Sequence, residues 1–112
     1  MAKTKALNRI KLEAKIEVRR SDQYGDGVFA LIDFDKDDYI GTYEGERAKN
    51  NSKFVLWLVD GKKQIGRRGS NELRFINHSK KPNTEFRDWD LHARKKIRVG
   101  DEITFDYDPT SD

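Results

Sequence analysis

Arg74-Phe75-Ile76-Asn77-His78-Ser79, followed by Pro82-Asn83, and then Gly100-Asp101-Glu102-Ile103-Thr104-Phe105-Asp106-Tyr107 are the two stretches on which the fold turns. The first sits at the end of a helical turn or two expected over 70–76, with Ser70 available as N-cap. The second opens on turn chemistry at 99–102 and runs on as a strand that ends in a tyrosine. Working outward, 10–18 alternates Ile10, Leu12, Ala14, Ile16 and Val18 with charged residues, which predicts a strand buried on one face. Further short strands are predicted at 28–32, 39–43, 54–59, 64–67, 85–87 and 91–94, separated by Gly- and Asp-rich turns such as Asp60-Gly61. Many short strands and one helical turn indicate a mostly β domain.

A chain of 112 residues is the size of one domain. Its twelve aromatics can close a small core although 38% of the residues are charged. The absence of cysteine excludes disulfides, thiolate nucleophiles and cysteine metal sites. No apolar run approaches the roughly 20 residues of a spanning helix, so no membrane contact and a cytoplasmic location are expected. Net charge is +3, but the first twenty residues carry seven Lys/Arg against Glu13 and Glu17. Residues 1–9 therefore read as a flexible basic arm, the segment through which nucleic acid would be touched if at all.

Four segments, in order and spacing, resemble the SET family of protein lysine methyltransferases in its minimal form, without flanking cysteine segments. They are Gly25-Asp26-Gly27-Val28-Phe29-Ala30, Tyr43-Glu44-Gly45-Glu46, the Asn77-His78 stretch with Pro82-Asn83, and the stretch ending Phe105-Asp106-Tyr107. The resemblance implies a fold of several short curved sheets with a C-terminal pseudoknot, a SET domain over 10–108 and a short tail at 109–112. It also implies transfer of methyl groups from S-adenosylmethionine to a lysine amine on a histone or another basic protein, in the nucleus where the substrate is a histone. Cofactor contacts are implied for Gly25, Asp26, Gly27, Arg74, Asn77, His78 and Tyr107, and Asn83 would hold the loop. Tyr107 and Tyr43 are the implied catalytic tyrosines. With Phe105 they would line the lysine channel, where Phe rather than Tyr at 105 implies capacity for di- or trimethylation. The missing C-terminal segment leads to an expected homodimer.

Taken without the resemblance, each piece has a plainer reading. Gly25 and Gly27 suit a hairpin turn as well as a close ligand. An Asn-His pair is often a satisfied polar turn, and a carboxylate run such as Asp101, Glu102, Asp106 and Asp108 is often a solvated face. Asp33, Asp35, Asp37 and Glu44 match part of a calcium loop, but Asp38 replaces its glycine and strands flank it, so no metal is expected. Two rival functions remain: a SET-fold module that holds peptide without turnover, with affinity indifferent to cofactor, and a small basic β domain whose nucleic-acid binding falls steeply with salt.

Overall fold

The computed structural model describes residue 7 and residues 9–21, 25–50, 55–60 and 63–107. Three small sheets carry the fold. The first orders its strands β1-β2-β10-β7, with β1 (Ile16–Ser21), β2 (Gly25–Ala30), β7 (Asn77–His78) and β10 (Glu102–Phe105). The second is β3-β9-β8, from β3 (Tyr39–Thr42), β9 (Asp90–Ala93) and β8 (Thr84–Arg87). The third is β4-β6-β5, from β4 (Gly45–Ala48), β6 (Lys63–Gly69) and β5 (Val55–Asp60). Val28, Phe34, Ile40, Leu73, Leu91, Ile97 and Ile103 meet in one core with no exposed surface. A mostly β SET-type architecture with little helix is therefore observed.

The predicted first strand is corrected. Leu12–Lys15 forms a single helical turn, α1, and the strand starts only at Ile16. Leu-Glu-Ala-Lys is a run of strong helix formers, and tertiary packing rewards the turn over the alternation. Leu12 lies so close to Gly41 that a Cβ there would sit 2.6 Å from its Cδ1. Lys15, placed by the alternation on the solvent face, is only 1% exposed, and its Nζ donates to the Leu7 carbonyl at 3.0 Å. Leu7 itself is buried, although it belongs to the stretch expected to be an arm; residues 1–6 and 8 and the expected tail at 109–112 lie outside the described residues.

The expected helix over 70–76 shrinks to one 3-10 turn, Glu72–Phe75, with Asn71 and not Ser70 at the cap position and no side-chain cap bond. The Ser70 amide is instead drawn to the Glu44 carbonyl at 2.8 Å. Strand β10 is central to the site. It pairs antiparallel with β2 on one side and parallel with β7 on the other, matching Thr104 to Asn77 and Phe105 to His78. This crossing sets the C-terminal strand beside the Asn77-His78 segment, as the resemblance implied. Asn83 locks it: its Nδ2 donates to the Glu102 carbonyl at 2.8 Å, and its Oδ1 accepts from the Thr104 amide at 2.9 Å.

Candidate active site

Two cavities meet at Tyr107. The first, of about 420 Å³, is lined by Gly25 and Asp26 from β2, Val55 and Leu56 from β5, and Tyr43. Arg74, Phe75, Ile76, Asn77 and Tyr107 complete its lining, Tyr107 remaining 47% exposed. The second, of about 760 Å³, runs between β5–β6 and β8–β9, and Phe86, Phe105, Asp106 and Tyr107 are among its lining residues. Both volumes fall in the range of small-molecule and peptide sites.

Asn77 organises the first cavity. Its Nδ2 donates to the Asp26 carbonyl at 3.1 Å and to Glu102 Oε2 at 2.8 Å, tying β2, β7 and β10 together. Gly27 is buried beneath that pair: a Cβ there would stand 2.6 Å from Glu102 Oε2 and 2.9 Å from Asn77 Nδ2. Gly27 is thus required by packing, and it is not among the residues that line the cavity. Gly25 and Asp26 do line the cavity. Arg74 stacks on Phe75 at 4.4 Å and donates from Nη1 to the Ser70 and Asn71 carbonyls, so its guanidinium is held at the cavity wall.

His78, expected to contact the cofactor, has its side chain turned to Tyr107. It lines neither cavity, and its Nδ1 accepts the Tyr107 backbone N–H at 3.1 Å, an arrangement that leaves the neutral ring's proton on Nε2. Its ring packs edge-on to Tyr107 with centroids 5.7 Å apart, and Asp106 lies 3.7 Å from the same nitrogen. His78 therefore positions Tyr107 from behind.

Tyr107 lines both cavities, and its hydroxyl donates a short hydrogen bond to the Ile76 carbonyl. Burial pushes its phenol above the ordinary tyrosine range, so the hydroxyl stays protonated near neutrality. Phe105, 7% exposed, stands 5.1 Å from Tyr107 and 4.8 Å from Phe86, ring centroid to ring centroid. These three rings form an aromatic passage on the second-cavity side.

Tyr43, expected in the lysine channel, lines the first cavity and adjoins residues of the second, among them Phe86, 6.0 Å away edge-to-face. Its other neighbour is Trp89 at 5.9 Å, and Trp89 in turn carries the Arg67 guanidinium 4.4 Å over its ring. Burial raises the Tyr43 phenol to about 12, aided by nearby Tyr107 and opposed by Arg74 and a bond from the Gly69 amide.

Sequence reasoning missed several of these groups. Glu102, read as part of an acidic surface run, is the partner of Asn77. Asp101 caps the preceding turn by accepting the Arg98 amide, and Asp106 faces Lys80 at 3.5 Å; Asp108 lies outside the described residues. Asn71 had no signal beyond its neighbourhood, yet its Nδ2 bridges the Thr42 carbonyl and Glu44 Oε2. Phe86 and Trp57, on β8 and β5, and Trp89, in the turn after β8, line the second cavity.

A family model described as SET domain matches residues 25–108. The chain belongs to the SET-domain family. It is 30% identical over 114 aligned residues to the histone-lysine N-methyltransferase MEDEA of Arabidopsis thaliana, an alignment covering 83% of this chain and 16% of that protein. It is 29% identical to the H3 lysine-36 specific histone-lysine N-methyltransferase of Candida glabrata, over 84% of this chain and 16% of that one. The SET domain here thus spans about one-sixth of the length of those relatives. The crystal structure of the methyltransferase domain of human histone-lysine N-methyltransferase SETMAR superposes with a TM-score of 0.73 over 82% of this chain and 44% of that one. At 21% identity that likeness shows the fold alone.

The first cavity suits S-adenosylmethionine by the chemistry of its walls. Arg74 offers a cation for a carboxylate, Asp26 a carboxylate for an ammonium, and Tyr43 and Phe75 aromatic surface. Its volume lies within the range for small-molecule sites.

Proposed function

We propose that this SET domain is a protein-lysine N-methyltransferase that takes its methyl group from S-adenosylmethionine and delivers it to a lysine of a histone or another basic protein. The observation that carries the reading is that Tyr107 lines two cavities, one with walls suited to the cofactor's charged ends and one open to an extended peptide on this reading. Methyl transfer to an amine needs a neutral nucleophile, in-line alignment and exclusion of water, with no metal and no covalent enzyme intermediate. When bound, the cofactor would supply an electrophilic methyl on a sulfonium.

The chain's residues do the rest. The Tyr107 hydroxyl, already donating to the Ile76 carbonyl, keeps lone pairs free to accept from the incoming amine. Phe105 and Phe86 admit the aliphatic stem of lysine and disfavour its hydrated ammonium form, which promotes loss of the amine's proton before attack. Arg74, Asp26 and Asn77 would hold the cofactor's amino-acid end. The absence of a hydroxyl at Phe105 supports room for a methylated amine to turn, and so di- or trimethylation. The similarity to histone-lysine methyltransferases supports a histone substrate and a nuclear location for the bound state. Exposed Leu31 and Val99, on neighbouring loops that line neither cavity, support pairing of two chains, which light scattering reads directly.

The test incubates the protein and its Tyr107→Phe variant with labelled S-adenosylmethionine, histones and lysate proteins, and locates modified lysines by mass spectrometry. Transfer by the wild type that falls by about a hundredfold or more in the variant is expected, the scale of removing a positioned transition-state hydrogen bond. No transfer, with no cofactor binding by calorimetry, would replace this reading with a peptide-holding module.

A further inference from the structure

The second cavity has two unlike banks. One comes from β5 and β6 and presents Trp57, Leu58, Val59 and Ile65 with Gln64, carrying no charge. Trp57 is fixed there by a glycine: its six-membered ring lies across Gly66, where a Cβ would meet ring carbons at 2.7 to 2.9 Å. Any larger residue at position 66 would lift the indole out of the bank. The other bank comes from β8, β9 and the end of β10 and is charged, with Glu85, Asp88 and Asp106 against Arg94.

These carboxylates are unequally matched. Glu85 is met by Arg87 Nε at 3.0 Å and by Arg94 Nε at 3.8 Å, and Asp106 by Lys80 at 3.5 Å. Asp88 has no hydrogen bond or ion pair among the described residues, although it lines the cavity and stands exposed. It occupies the tight turn between β8 and β9 with φ 54°, a left-handed backbone that aspartate tolerates better than most residues. The turn is anchored from within, because the Trp89 carbonyl accepts the Tyr43 amide at 2.8 Å and the Trp89 ring is sandwiched by Tyr43 and Arg67. Asp88 therefore stands on an anchored turn as a carboxylate with no ion-pair partner among the described residues, on the charged bank of the groove that leads to Tyr107.

We infer that Asp88 is a specificity-determining residue, which selects substrates whose target lysine has a basic residue, Arg or Lys, on one flank and a bulky apolar residue on the other. The apolar flank lies on Trp57 and Leu58, and the basic flank reaches the Asp88 carboxylate. In an extended chain the two flanking residues stand about 6.6 to 6.8 Å apart, on the face opposite the lysine, so a segment crossing the groove sets one flank at each bank. Charge complementarity at a rim chiefly steers encounter and discriminates against wrong partners. This inference rests on the proposed methyltransferase reading but adds to it a sequence preference that belongs to this chain's own side chains.

The experiment uses fluorescent peptides with one central lysine, an apolar residue on one side and either Arg or Glu on the other. Peptide Kd by anisotropy and methyl-transfer kcat/KM are measured for the wild type, Asp88→Asn and Asp88→Lys. Asp88→Asn keeps a residue that accepts the left-handed backbone, so loss of charge is separated from loss of the turn. The wild type is expected to prefer the Arg peptide about three- to tenfold at low ionic strength, Asp88→Asn to lose most of that ratio, and Asp88→Lys to reverse it, with added salt shrinking every ratio. The inference is overturned if the ratio is the same in all three proteins, or if the wild type favours the Glu peptide. Affinity ratios that behave as expected without any methyl transfer would sink the catalytic reading alone; transfer without any ratio would sink this inference alone.

Discussion

Raising the pH from 7 to 9.5 should stabilise this protein, and replacing Lys15 with methionine should abolish that gain. Lys15 is 1% exposed, its Nζ has one carbonyl partner in Leu7, and the Tyr39 ring lies 4.7 Å below it. Burial without a carboxylate partner lowers its pKa from 10.5 to about 8. Between those values the unfolded chain binds more protons than the folded one, so stability rises with pH. Each unit of pKa difference is worth about 1.4 kcal/mol, so the full penalty below pH 8 is at most about 3 kcal/mol, of which about 2 kcal/mol is relieved by pH 9.5.

Tyr43 sets the upper limit of the window. Its phenol is raised to about 12 from 10, so above pH 10 the folded state holds a proton that the unfolded state has released, and stability falls again. Thermal unfolding followed by circular dichroism should therefore show a maximum near pH 10, with a rise in Tm of about 5 to 10 °C from pH 7 to 9.5. In Lys15→Met the rise should vanish whatever the variant's baseline, since an unpaired Leu7 carbonyl costs about 1 to 3 kcal/mol independently of pH. A wild type whose Tm is flat or falls over that interval, or a variant that keeps the slope, would refute the placement of Lys15.

Two further outcomes follow from the site. Asn77→Ala removes both bonds that tie Asp26 and Glu102 together, and at about 1 kcal/mol each should weaken S-adenosylmethionine binding by about ten- to thirtyfold in calorimetry while the fold, read by circular dichroism, persists. Phe105→Tyr places a hydroxyl in the passage shared with Phe86 and Tyr107 and should shift products toward monomethyl-lysine, seen as a changed distribution in mass spectra at equal turnover.

Most of the site was legible because its residues lie in two contiguous segments whose chemistry repeats a known pattern. Arg74, Asn77, Phe105 and Tyr107 were found that way, and the parallel match of Thr104 to Asn77 and Phe105 to His78 places them together. That match spans two residue pairs, too few to leave any periodicity, so pattern reading alone had no access to it. The misreading of the first strand has a physical cause. Ile10 to Val18 alternates, but alternation cannot tell whether a lysine points to water or into a core that offers it a carbonyl, and Lys15 does the second. His78 and Gly27 were assigned to a ligand because ligand contact is what their motif suggests. What the motif could not tell is their packing, Gly27 beneath the Asn77–Glu102 bond and His78 accepting the Tyr107 amide.

Those contacts explain how a small, heavily charged chain holds Tyr107, the residue shared by both cavities. Tyr107 has its amide bound by His78, its hydroxyl by the Ile76 carbonyl and its ring against Phe105, three restraints from two segments that meet only because β10 lies between β2 and β7. Each restraint alone is worth about a kilocalorie. Acting on one side chain they fix its position, and alignment at the reacting atoms is what such chemistry demands of the protein. The selective groups sit elsewhere, on the β5 edge and the β8–β9 turn, where a change such as one at Asp88 can retune substrate choice without disturbing the tyrosine.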